Sequence, residues 1–385
     1  MKKEKKKKIP FLLLTVALLS AAYRVHYGSV PALANRQVAY QATAAGAPVV
    51  HTDNLSFLPA VAPSVHAATL ALLRDGTVAC AWFAGSREGA RDVAIYYSLL
   101  RDGRWSWPLI IADPSQTSRD TARYIRKVGN PVLACDVAGR LHLWYVSTSV
   151  GGWSTSALNH RVSADGGASW SRAKRMVTAP FFNLSTLVRT QPLPLLDGGF
   201  ALPSYHELFT KHGEMLRLDS RGMALDKQRM PGGGPLLQPA VAPIPEKGEF
   251  LALLRNAGPK PRRIAVAALR DGEDRWFARP HLPLANPDSS VALLRLNDGR
   301  LLLACNPLTD GRQRLSLFLS PDFGRNWLEA FSVEDSPVEG GEFSYPSLLQ
   351  DREGIIHLAY TWNRRKIAHR MISLPAPAGL EVGKK

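Results

Sequence analysis

The sequence predicts an all-β fold, a six-bladed β-propeller, and three observations carry that prediction. An apolar run, a polar turn with glycine and a second apolar run recur six times. The turns return at intervals of roughly 50 to 60 residues, a span suited to four-stranded blades. Two of the units also end in the same eight-residue string.

Taken in order, the six copies are LALLRDGTVACAWF from Leu70, PVLACDVAGRLHLWYV from Pro131, PLPLLDGGFALPSY from Pro192, PAVAPIPEKGEFLALL from Pro239, VALLRLNDGRLLLACN from Val291 and PSLLQDREGIIHLAY from Pro346. Their turn glycines are Gly76, Gly139, Gly198, Gly248, Gly299 and Gly354. A third strand-like run follows each hairpin, at 94–98, 158–163, 215–218, 264–269, 315–320 and 367–373. Helical periodicity is almost absent outside the N-terminal leader. β-Sandwiches also offer short strands and glycine turns, but not one hairpin phase held at this period.

The leader is the second organisational feature. Six lysines and one glutamate fill the first eight residues, an apolar run covers 9–22, and a polar stretch ends in Ala32-Leu33-Ala34. That is the order of a signal peptide. The apolar run falls short of the roughly 20 residues of a spanning helix, which favours cleavage after Ala34. The rival is an uncleaved signal anchor, since Arg24 and His26 lengthen the polar stretch. The domain reading is therefore 1–34 as signal peptide or signal anchor and 35–385 as a single propeller domain. Either form exports that domain to the periplasm or the extracellular space.

The formal charge of +16 falls to about +10 without the leader, which suits an acidic partner such as a charged polysaccharide and equally a solvated basic surface. Cys80, Cys135 and Cys305 are odd in number and far apart, and each stands in an apolar run. They read as buried free thiols. No metal-binding motif, no glycine-rich phosphate loop and no basic-aromatic nucleic-acid pattern is present, so no cofactor, metal or nucleic-acid partner is expected.

The shared string is S-x-D-x-G-x-x-W, at Ser163-Ala164-Asp165-Gly166-Gly167-Ala168-Ser169-Trp170 and at Ser320-Pro321-Asp322-Phe323-Gly324-Arg325-Asn326-Trp327, with weaker echoes at 98–105 and 269–276. Asp accepts from turn amides, Gly takes positive φ, and Trp plugs between strands. This string resembles the Asp box of sialidases and related propellers. The resemblance runs from about residue 66 to 373 and is closest to bacterial sialidase-like proteins with BNR-type repeats. The box is architectural and bears on fold alone.

The resemblance implies a sialidase-type site: a tyrosine nucleophile activated by a glutamate, an aspartate acid/base, and three arginines on the substrate carboxylate. In WFAGSREGARDVAIYYS, 82–98, Asp92 matches the acid/base aspartate, with Arg87 and Glu88 just before it. In Glu342-Phe343-Ser344-Tyr345-Pro346, Tyr345 matches the nucleophile. The arginines depart from the pattern: Ser64-Val65-His66-Ala67 stands at the first position and Asn306 at the second, and Ser289 or Ser290 replaces the glutamate. Arg255, Arg364 and Arg365 are left as candidate carboxylate partners. Other polar residues recur where inner strands meet one propeller face: His66, Asn130, Arg189, Gln191, His206, Glu207 and Asn286.

The leading expectation is a sialidase-like exo-glycosidase acting on a terminal, anionic sugar. Asp92 and Tyr345 are catalytic. His66, Arg87, Glu88, Asn130, Arg189, His206, Glu207, Arg255, Asn286, Asn306 and Arg364 bind substrate. A uronate polysaccharide lyase is the alternative, with Tyr345 and His66 or His206 handling the proton while Arg255 or Arg87 neutralises the carboxylate. A further alternative is a non-catalytic glycan-binding propeller with Trp82, Trp144 and Trp153 as stacking platforms. The expected partner is a glycan, and a membrane enters only through an uncleaved anchor.

Overall fold

The computed structural model describes residues 53–179, 183–337 and 340–374, together with Thr15, Val16 and Leu19. Apart from those three residues, the leader expected over 1–34 lies outside the described residues. Among the described residues no helix is long and apolar enough to cross a membrane.

The strands, β1 to β26 in chain order, form six antiparallel sheets arranged as propeller blades. Blade one holds β2 (Ser64–Leu72), β3 (Val78–Gly85) and β4 (Ala94–Arg101). Blade two holds β7 (Lys127–Cys135), β8 (Leu141–Thr148) and β9 (Ala157–Ser163). Blade three is built on β11 (Leu187–Val188), β12 (Leu193–Pro194), β13 (Phe200–His206) and β14 (His212–Leu218), and blade four on β16 (Leu236–Ile244) and β17 (Glu249–Asn256). Blade five contains β20 (Ala292–Arg295), β21 (Leu301–Cys305) and β22 (Arg314–Ser320); blade six contains β24 (Phe343–Gln350), β25 (Ile356–Trp362) and β26 (Lys366–Ile372). All six expected hairpins and third strands fall in these sheets in the expected phase.

Middle strands such as β3 and β8 are buried along their whole length. Each blade packs on a neighbour through both faces, so its sequence reads as a continuous apolar run. The ring closes in a way the repeat did not reveal. β1 (Asp53–Phe57), from before the first blade, pairs with β26 and supplies the outer strand of blade six, from Asp53 opposite Ile372 to Phe57 opposite Ala368. Innermost strands all start at one face of the ring, here the front, and end at the rear. One helix, Pro114–Thr121, links blades one and two, with Asp113 capping the amide of Gln116 at 2.8 Å.

The two Asp boxes lie at the rear, where they join neighbouring blades. In blade two, Asp165 accepts from the Ser169 amide at 2.9 Å, and Trp170 donates to the Gly167 carbonyl at 3.0 Å. Tyr97 of blade one donates to the Gly166 carbonyl at 2.8 Å. A Cβ at Gly167 would lie 2.3 Å from the Tyr97 ring, so only glycine fits. The second box repeats the pattern through Asp322, Asn326, Trp327 and Gly324.

Two histidine ladders also face the rear, and both follow the string D-x-x-G-x-x-H. Asp136 meets His142 at 3.2 Å, and His142 meets His160 at 3.0 Å. In blade six, Asp351 meets His357 at 3.0 Å and His357 meets His369 at 3.0 Å. The rings stack at 5.1 and 5.2 Å. Cys80 and Cys305 are buried free thiols as expected, whereas Cys135, also free, is only half-buried.

Candidate active site at the front of the propeller axis

The site starts from the backbone of the innermost strands. β2, β7, β16 and β24 each carry a bulge near the front, where the pairing register slips. One residue in each bulge takes positive φ: Ala67 at 57°, Asn130 at 46°, Gln238 at 49° and Tyr345 at 54°. Three of the four precede a proline. The bulge re-aims the side chain toward the axis, and four non-glycine residues held at positive φ mark a site whose geometry is fixed at a cost.

Tyr345 stands at the centre of this face. The Arg189 guanidinium lies 5.4 Å from its ring centroid and the Arg312 guanidinium 5.6 Å. His66 meets the same ring edge-on at 6.5 Å. Among the described residues the Tyr345 hydroxyl makes no hydrogen bond. Arg189 belongs to blade three, yet it crosses the axis to donate to the carbonyls of Ala68 at 3.1 Å and Pro346 at 3.3 Å, as well as to that of Tyr345. Gln191 makes a similar crossing to the Leu70 carbonyl. Burial pulls Arg189 down to about 10, so it stays cationic at neutral pH. No carboxylate pairs with it among the described residues.

The remaining guanidiniums are each held by an acid. Arg255 donates to Asp288 at 2.5 Å and to Gln238 at 3.2 Å. Burial works to raise Asp288, but the hydrogen bond and charge of Arg255 hold it below the usual carboxylate range. Glu342 pairs with Arg312 at 3.1 Å and with Arg364 at 2.5 Å, and these two hold it down against burial. Tyr205 accepts from Asn130 at 3.3 Å and from Gln238 at 3.4 Å. Burial raises its phenol well above the usual value, and Glu207 adds to the effect. Burial raises Glu207 as well, against Lys211 and Arg255.

His66 is 2% exposed and stacks on Phe83 at 5.4 Å. Its Nε2 lies 3.2 Å from the Ser64 hydroxyl and 3.9 Å from Glu88. Burial lowers its pKa, with Glu88 opposing, so the ring is neutral at pH 7.

The structure thus brings together Tyr345, His66, Glu88, Asn130, Arg189, Glu207, Arg255 and Arg364. Asp92 lies on the same front rim, in the loop that joins β3 to β4, but both its oxygens accept from Ser86, at 2.9 Å each. Those bonds, first the Ser86 hydroxyl and then its amide, hold Asp92 below the usual range. Arg87 is exposed in the same loop.

Three expected binding residues are committed elsewhere. Asn306 is fully buried and ties the carbonyls of Arg314 and Phe343 at 2.6 and 2.8 Å, while its carbonyl accepts from Ser289. Asn286 is buried and donates to the carbonyls of Pro287 and Ser289. Both are backbone ties and not sugar contacts. His206 stacks on His212 at 5.2 Å, and His212 pairs with Glu214. Trp82 and Trp144 are 1% and 0% exposed, so neither is a stacking platform.

Sequence reasoning missed Arg312, Gln238, Tyr205 and Asp288. The pre-proline position was the available signal, because Asn130-Pro131, Gln191-Pro192, Gln238-Pro239 and Tyr345-Pro346 stand in one phase of the repeat. Arg312 lies six residues past the expected arginine position, in the loop between β21 and β22. An axial cavity of about 330 Å³ lies on the rear side of Arg189 and Gln191, lined by Leu70, Leu133, Val241, Leu293 and Leu348. Its lining is mostly apolar.

The model of the BNR repeat-like domain family matches residues 76–358. No curated protein matches the chain by sequence. Among solved structures, the chain is similar to the Hadza microbial sialidase Hz136, at TM-score 0.66 and 17% identity over 81% of this chain and 66% of that one. It is similar to a protein of unknown function from Dyadobacter fermentans DSM 18053, at TM-score 0.66 and 15% identity over 83% and 98%. It is also similar to the intramolecular trans-sialidase from Ruminococcus gnavus, at TM-score 0.64 and 14% identity over 84% and 97%. The chain therefore spans about two thirds of the length of Hz136. At these identities the likeness establishes the fold.

Proposed function

The chain belongs to the BNR repeat-like domain family, and from that membership and the front-face geometry we propose a sialidase-like exo-acting glycoside hydrolase. It removes a terminal anionic sugar from glycans outside the cytoplasm, where the basic and apolar leader would deliver it.

The observation that supports this reading is the crowding of guanidinium groups on Tyr345. Arg189 and Arg312 lie over its ring, and Arg255 and Arg364 feel its phenol. Asp288 answers one of these charges, Glu342 is shared by two, and Arg189 has no carboxylate among the described residues. The surplus positive charge is a seat for a sugar carboxylate beside the candidate nucleophile.

In this reading the Tyr345 oxygen attacks the anomeric carbon as the bond to the leaving oxygen breaks. A phenol suits the task because it is not repelled by an anionic sugar. Gln238, beside Arg255 and Tyr205, cannot accept the phenol proton. Neutral His66 can, directly or through one water. Glu88, carried toward His66 by the 86–92 loop, protonates the leaving oxygen and later activates water. It is preferred over Asp92, whose two hydrogen bonds from Ser86 stabilise the charged form and oppose proton donation.

The contact of His66 with Tyr345 also favours a second reading, a uronate lyase in which this pair removes and returns the proton beside the carboxylate. One experiment separates the two: incubation with glycosides bearing terminal sialate or uronate, read by mass and ultraviolet absorbance. Hydrolysis adds water to the products. Elimination yields an absorbing unsaturated sugar of lower mass. Binding without turnover would refute both and leave a glycan-binding propeller.

A further inference from the structure

A further cation on the front face takes no part in the reaction proposed above. Lys127, the first residue of β7, is 8% exposed, and its ammonium lies 4.0 Å over the Trp153 indole. Among the described residues no carboxylate comes within ion-pair distance of it. Burial, followed by Arg126, holds it below the usual lysine range, and Glu88 opposes this from a greater distance. A cation held at such a place without a counter-ion is costly unless a ligand supplies one.

The surroundings are built around that ammonium. Trp153 is carried on a short turn, Trp153–Thr155, closed by the Ser156 amide donating to the Trp153 carbonyl at 3.0 Å. The indole packs where Gly129 has no side chain, since a Cβ there would lie 2.7 Å from it. The 86–92 loop covers another side, a Cβ at Gly89 falling 3.7 Å from the Lys127 nitrogen. A run of rings leads from this place to the nucleophile: Trp153 to Phe83 at 6.4 Å, Phe83 to His66 at 5.4 Å, and His66 to Tyr345 at 6.5 Å. The ammonium and the half-buried indole therefore lie on the same front face as Tyr345, two blades further round.

We propose that Lys127 and Trp153 form a second subsite, which takes a carboxylated sugar linked to the one seated at Tyr345. The preferred substrate then carries two acidic sugars in succession, with the second carboxylate on Lys127 and its ring against Trp153. This inference rests on the front face being a glycan site.

The test titrates galacturonate, glucuronate and N-acetylneuraminate, each as monosaccharide and as homodisaccharide, into the protein by calorimetry. At least one disaccharide is expected to bind about 10-fold tighter than its monosaccharide, the gain of one charge-assisted contact. In Lys127→Met that gain shrinks below about 2-fold while monosaccharide affinity is kept. Trp153→Ala behaves in the same way, and circular dichroism confirms that both variants fold. A gain undiminished in Lys127→Met overturns the subsite, as does monosaccharide binding with no gain from the second sugar. Failure of every acidic sugar to bind overturns the front-face function itself, and the subsite with it.

Discussion

The histidine ladders make stability depend on pH with a size that follows from their burial. His160 and His369 are 3% and 0% exposed, and burial pulls each from 6.5 down to about 3, with the neighbouring His142 or His357 adding to the shift. Lys174 and Asp219 also act on His160, in opposite senses. Above about pH 6.5 both the folded and unfolded chains hold these rings neutral, so they exert no pH effect there. Below it the unfolded chain takes up protons that the folded chain refuses, and stability falls until about pH 3. At pH 5 each ring is about 1.5 units below its unfolded pKa, at about 1.4 kcal/mol per unit, so each costs about 2 kcal/mol and the two together about 4 kcal/mol. That is a large part of an ordinary folding free energy. Thermal unfolding at pH 7.5 and pH 5.0 should show a drop of about 5 to 10 °C in Tm. The double variant His160→Gln with His369→Gln should lose most of that drop. If it keeps the whole drop, or if proton resonances of either ring titrate near 6.5, the ladder argument is wrong.

Tyr345→Phe should lower turnover by at least about 10²-fold with Tm nearly unchanged, measured on whichever acidic glycoside is cleaved. Glu88→Gln should lower it by a similar factor and Asp92→Asn by less than about 10-fold; the opposite ranking would return the proton-donor role to Asp92. Asp322→Ala removes the acceptor of the Asn326 amide at the rear of blade five. It should cost about 1 kcal/mol in urea unfolding, discounted for exposure, and leave turnover intact; loss of turnover at full stability would contradict an architectural box. The mature chain should begin near Asn35, and N-terminal sequencing of membrane and soluble fractions checks this, an intact leader in the membrane establishing the anchor instead.

The fold was legible because each blade must bury both faces of its middle strands, and that leaves an apolar run, a glycine turn and a second apolar run in every copy. The outer strands left no comparable trace: β1 is short and mostly exposed over 54–57, and its pairing with β26 joins residues more than 300 positions apart. The helix Pro114–Thr121 does carry a readable start, Asp113-Pro114 with the Gln116 amide capped, but it is too short to impose a period. Within the site, Tyr345 and the charged 86–92 loop were found through local strings. Asn286 and Asn306 were misread because a buried asparagine satisfying backbone carbonyls has the same sequence appearance as one facing a sugar.

The arginines show why positional matching failed although positive charge still gathers at Tyr345. A carboxylate seat needs a sum of positive charge at one point, and the propeller axis lets that charge arrive from any blade. Arg189 reaches Tyr345 from blade three, Arg255 comes from blade four, Arg312 from a loop of blade five and Arg364 from blade six. Sequence position fixes only where each chain segment enters the ring, whereas side chains as long as arginine span the narrow funnel. The first expected arginine position, now His66, is free of permanent charge and meets the tyrosine edge-on. The axis thus keeps its cations on other blades while blade one contributes a neutral imidazole, and in the proposed mechanism this rearrangement is what makes His66 available as a base in place of the missing glutamate.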